Sequence, residues 1–133
     1  MKIKSRSRFS DDVTISSGAK SLTLHVDLDL TACAQALRKA REEVAQAQND
    51  AVKDRTEETA RTYGQALRRL ISVVFGVVQT DQLLTFYEGR PEAMIEDVMP
   101  YIFRRIVPLV TAASKRRAAE IRREVRRSAR GTK

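Results

Sequence analysis

From Ser21 to Leu30 apolar and polar residues alternate without interruption. Leu22, Leu24, Val26, Leu28 and Leu30 fall on one face, and Ser21, Thr23, His25, Asp27 and Asp29 on the other. That is the period of a strand buried on one side. Upstream, Val13 and Ile15 flank Thr14, and Ser17-Gly18 offers a residue able to take positive φ, so residues 12–16 can pair with 20–28 through a short turn. Residues 2–9 alternate as well, with Lys2, Lys4, Arg6 and Arg8 opposite Ile3, Ser5, Ser7 and Phe9. Two readings stay open for them: a third strand whose basic face lies near Asp27 and Asp29, or an exposed basic edge that discourages aggregation.

Beyond Leu30 the period changes to that of a helix. Thr31 is placed to cap it, and residues 32–62 contain neither Gly nor Pro. Their apolar face is narrow. Leu37, Ala40, Val44, Ala47 and Ala51 recur at spacings of three and four, enough for one partner helix, either within the chain or in a second copy. Asn49-Asp50 and the cluster Asp54, Glu57 and Glu58 mark a bend or a fresh start. From Tyr63 the face widens through Leu67, Leu70, Ile71, Val74, Phe75 and Val78, with Gly76 as a C-terminal stop. Thr80-Asp81 then reads as the cap of a short helix holding Leu83, Leu84, Phe86 and Tyr87 and ending at Gly89. Pro91 opens a last helical stretch, rich in apolar residues from Met94 to Val110, which Pro100 and Pro108 should kink. The predicted fold is mainly α: a helical bundle with a long polar helix, a Pro-kinked C-terminal helix and a small N-terminal β-hairpin or three-stranded meander. A single domain over 1–133 divides into a hairpin region (1–30), a polar helix (31–62), an apolar helical core (63–110) and a basic helical tail (111–133).

Charge sharpens this division. The chain has 133 residues and a formal net charge of +8, yet residues 111–133 carry nine bases and two acids and so hold nearly all of the excess. Lys115-Arg116-Arg117, Arg122-Arg123 and Arg126-Arg127 recur around Ala118, Ile121, Val125 and Ala129, so a helix here carries a thin apolar stripe flanked by guanidinium groups. Glu120 and Glu124 are expected to pair with neighbouring Arg residues. These seven bases are the candidate polyanion-binding residues. Three roles compete for the tail: a solvated helix that aids solubility, a contact with an acidic protein or another copy, and binding to a phosphate backbone. No aromatic residue interleaves the bases, and a membrane-surface helix would need Trp, Phe or Leu opposite them. The run from Leu70 to Val78 falls far short of the roughly 20 residues of a membrane span.

Chemistry is sparse. One Cys excludes an internal disulfide framework, and one His makes a Ser-His catalytic system improbable. His25, with Asp27 two residues away, reads as a hydrogen-bonded surface side chain. Asp27 and Asp29 project to one side roughly 7 Å apart, without the further ligands a cation needs. Cys33 reads as small buried filler. The five glycines form no phosphate-cradling loop. The sequence therefore points to a non-enzymatic protein with no cofactor and no catalytic or metal-binding residues.

One resemblance extends this reading. Tyr63, Leu67, Leu70, Ile71 and Phe75-Gly76, then Leu83 with Phe86-Tyr87-Glu88-Gly89, then Met94 and Met99-Pro100 through Ile106-Val107-Pro108 resemble the small tail-assembly chaperones of long-tailed bacteriophages and prophages. The resemblance covers about half the chain and does not extend to the Arg-rich tail. It implies a helical protein of the host bacterial cytoplasm that binds the long tape-measure protein, keeps it soluble and helps tail-tube subunits polymerise around it. Leu37, Val44, Phe86, Tyr87, Met94 and Met99 are the candidate protein contacts, as apolar side chains that a small core would leave partly uncovered. A homo-oligomer is part of the expectation. The alternatives are a basic nucleic-acid-binding accessory protein and a structural connector or tail-completion subunit of the virion.

Overall fold

The computed structural model describes residues 8–88 and 90–131. Two antiparallel strands, β1 (Arg8–Ser17) and β2 (Lys20–Asp29), form a hairpin, followed by α1 (Ala34–Lys53), α2 (Glu57–Phe86), α3 (Pro91–Tyr101), a π-helical turn (Ile102–Ile106) and α4 (Val107–Gly131). The last three join into one long helix, so the fold is mainly α with an N-terminal hairpin, as the sequence predicts. The hairpin is longer than the paired segments read from the alternation. Arg8 and Phe9 belong to β1 itself, and the rest of the third strand suggested for 2–9 lies outside the described residues. Gly18, at φ 64°, opens the two-residue turn between the paired Ser17 and Lys20.

Leu24, Val26, Leu28 and Leu30 are buried against the helices, whereas the polar residues of β2 stay on the outer face. The chain then turns on Asp29, not on Thr31. One Asp29 carboxylate oxygen accepts from the Thr31 N–H (3.1 Å), the Thr31 hydroxyl (2.9 Å) and the Ala32 N–H (3.0 Å). The Thr31 hydroxyl is thereby used as a donor, and Cys33, the residue just before α1, makes no side-chain cap. The narrow stripe Leu37, Ala40, Val44 and Ala47 is buried against α2, which answers the question of its partner within the chain. The polar stretch is not one helix. α1 ends at Lys53, and Thr56 restarts the chain with a capping box: its hydroxyl accepts from the Thr59 N–H, and the Thr59 hydroxyl accepts from the Thr56 N–H, both at 3.1 Å. Glu43 and Arg69 (2.7 Å) tie the resulting α-hairpin across its flank.

Gly76 breaks α2 without ending it. Its φ of 80° and ψ of 164° interrupt the helix for one residue, after which the helix resumes on a new axis to Phe86. Thr80 is therefore not the cap expected at the start of a separate helix. It is buried within the second half, and its hydroxyl donates to the Gly76 carbonyl at 2.7 Å. Gln79 uses its whole amide: Nε2 donates to the carbonyls of Phe75 (2.7 Å) and His25 (2.6 Å), while Oε1 accepts from the His25 N–H (2.7 Å). The kink is thereby docked on the free edge of β2. The helix end expected at Gly89 lies outside the described residues.

Pro91 occupies the first turn of α3, where its missing N–H costs nothing. Pro100 and Pro108 bracket the π turn, in which the Val107 N–H reaches back to the Ile102 carbonyl. A wider turn lets a helix pass a residue that lacks a donor and crowds the carbonyl four positions back, so the expected kink takes this form. Tyr101 holds the stretch against the hairpin by donating to Asp11 (2.8 Å) and by stacking at a tilt on Phe75.

Candidate binding surfaces

Five of the six side chains read as protein contacts are core residues. Leu37, Val44, Tyr87, Met94 and Met99 are each at most 8% exposed, and Phe86 is half-buried with its ring edge-on to Tyr87. The hairpin and the α1–α2 pair together cover more apolar surface than the sequence suggested, so these residues mainly stabilise the fold, and of them only Leu37 and Val44 reach the lining of shallow surface grooves. Tyr87 is fixed further by donating to Asp97 at 2.7 Å. Burial first, and that bond second, push its phenol well above the ordinary range.

The polar candidates have structural partners as well. Arg8 grips Asp27 with Nε (2.9 Å) and one terminal nitrogen (2.8 Å), and this pairing holds the Asp27 carboxyl below its ordinary value. Asp29 is lowered by the Ala32 N–H and then by Thr31, so both carboxylates of the suspected cation pair are occupied by bonds within the chain. His25 sits against Asp12, its cross-strand neighbour, with 2.7 Å between Nδ1 and Oδ1; Asp27, the neighbour suggested by sequence, is bound elsewhere. Cys33 is half-buried against the core, not fully buried as expected, and its partial burial raises the thiol.

The surface left for binding is α4. Up to Ala113 the helix is packed into the body through Val110 and Ala113, but from Lys115 to Arg130 every residue except Ala119 is exposed. At about 100° per residue, Lys115, Arg116, Arg122, Arg123, Arg126, Arg127 and Arg130 fall within an arc of about 140°, and only Arg117 lies outside it. A rise of about 1.5 Å per residue makes this basic face about 22 Å long. Ile121 (48% exposed) and Val125 (62%) lie on the other side, the side that Val107 and Val110 turn toward the body. Among the described residues no ion pair engages any of these bases. The pairing expected of Glu120 and Glu124 is absent there, since an exposed pair gains little against the entropy of two long side chains.

No family model, curated protein or solved structure matches this chain.

A shallow groove of about 330 Å³ between α1 and α4 continues the apolar side of the tail. Leu37, Val107 and Val110 contribute its floor, Arg38, Arg41 and Lys115 its rim, and Ala118 leads from it to Ile121 and Val125. Next to it, Phe103 is 42% exposed with the Arg41 guanidinium 5.9 Å above its ring. Phe103, in the apolar stretch from Met94 to Val110, and Val78, on the widening face of α2, belong by sequence to the expected core but are exposed. Phe103 is turned outward by the π turn, and Val77 and Val78 by the kink at Gly76. Neither irregularity leaves a mark in a helical period. Among the described residues no helix is long and apolar enough to cross a membrane.

Proposed function

We propose that this protein is a non-enzymatic binding protein of tail morphogenesis, an assembly chaperone that holds a long helical tape-measure protein through an apolar track on α4. The observation that carries the reading is the continuity of that track. The groove floor at Leu37, Val107 and Val110 runs through Ala118 to the exposed Ile121 and Val125. An amphipathic partner helix fits such a track, and the basic rim of Arg38, Arg41 and Lys115 selects one whose apolar stripe is flanked by acidic residues. The resemblance to tail-assembly chaperones supports the class of protein more than the place of contact. Many of the residues that carry it, among them Leu67, Leu70, Ile71, Phe75, Leu83 and Ile106, are buried and serve the fold.

Co-expression with the tape-measure protein of the same phage or prophage genome tests the reading. Its soluble yield should rise with the wild-type chain and return to the unassisted level with Ile121→Asp/Val125→Asp, both sites being exposed enough to leave the fold intact. An unchanged yield with the wild-type chain contradicts the proposal. Mass spectrometry of purified particles separates a chaperone, which is absent from them, from a connector or tail-completion subunit, which is retained.

A further inference from the structure

We infer that the basic face of α4 is a docking surface for double-stranded DNA, bound through its phosphates without regard to sequence. Three features of the face favour this occupant. First, seven bases share an arc of about 140° over about 22 Å, all but Lys115 clear of the apolar groove, and no described ion pair neutralises them. Second, all but Lys115 are arginine, whose planar guanidinium gives two parallel hydrogen bonds to a phosphate where lysine gives a point charge. Third, the arc is wider than the single stripe that a partner helix covers. A helix lying in the major groove, about 12 Å wide, has phosphates on both flanks and uses a basic face of this breadth.

Other polyanions fit less well. A helix lying on an anionic membrane sinks its apolar face among the acyl chains, with bases at the margins of that face. Here Ile121 and Val125 are the only large apolar residues of the segment, with no Trp, Phe or Leu beside them, too little apolar area to anchor the helix. Residues 115–130 contain no Asn or Gln to read adenine, in keeping with backbone contacts alone. This inference does not depend on the chaperone reading, because six of the seven bases lie away from the apolar track and only Lys115 borders it.

Fluorescence anisotropy of the full chain with a labelled 30-base-pair duplex tests it. Binding should weaken steeply with salt, with a slope of log K on log salt of about −4.5 to −6.3 for about five to seven phosphate contacts. Arg123→Gln/Arg126→Gln/Arg130→Gln should weaken binding at least about tenfold at 100 mM salt, and Arg117→Gln, outside the arc, less than about twofold. Replacing the same three residues by Lys should restore most of the binding at low salt, and circular dichroism should show unchanged helix content in every variant. Poly-glutamate and phosphatidylglycerol–phosphatidylcholine vesicles serve as competitors. Preferential binding to either one, loss of binding equal for Arg117→Gln and the triple variant, or no binding to the duplex at 50 mM salt overturns the inference.

Discussion

Arg8 meets Asp27 through two nitrogens, and the consequence is a titration that can be followed at one atom. The Asp27 carboxyl is held below its ordinary value of 3.8, chiefly by the hydrogen bond from Arg8; desolvation, next in size, opposes it, and the charge on Arg8 adds a smaller lowering. A carboxyl depressed in the folded state contributes stability that is present above the unfolded value and is lost as pH falls through the folded one. Both partners face solvent, so the contribution is small. Carbon-detected NMR should place the Asp27 midpoint below 3.8, and Arg8→Gln should move it back up; a midpoint unchanged by the substitution contradicts the pairing. The strand alternation shows that Asp27 shares a face with other polar groups. It does not show which base reaches it, because the register that sets Arg8 opposite Asp29 depends on where the turn falls.

The elements depart from their sequence pattern at Gly76 and at the π turn. Gly76 occupies a region of φ and ψ that is essentially closed to other residues, although a Cβ there would meet nothing within 4 Å. Gly76→Ala should therefore cost about 1–3 kcal/mol in urea denaturation through backbone strain alone. A neutral substitution would mean that the kink is not required. The glycine is legible as a helix stop, but the resumption beyond it is not. Thr80-Asp81 has the composition of a helix start, and what overrules it is Gln79 binding the backbone of His25, 54 residues away. Similarly, the prolines announce a kink, but only the structure shows that it is absorbed as a wider turn that sends Phe103 outward. Long periodic runs such as α1 and the two strands were readable because burial on one face forces their period.

At the scale of the molecule, core and charge are separated. The hairpin and the helices up to Ala113 enclose the buried residues, while the last turns of α4 stand clear and carry most of the net charge of +8. Removing residues 115–133 should therefore leave the melting temperature within about 4–8 °C of the full chain, the equivalent of roughly 1 kcal/mol, and should bring the net charge close to neutral. A collapse of the melt would show that the tail supports the fold. The basic tail was plain in the sequence, but the binding surface was not. A thin stripe such as Leu37 and Val44 reads equally as an internal seam or an external one, and only tertiary packing decides between them. The proposed contact of a helical partner with the apolar track from Val107 to Val125 is open to a direct test. The measurement is size-exclusion chromatography with light scattering on the chain co-expressed with the tape-measure protein. A defined complex should form with the wild-type chain, be lost with Ile121→Asp/Val125→Asp and persist with Arg123→Gln/Arg126→Gln/Arg130→Gln; a complex unchanged by the aspartates would place the contact elsewhere.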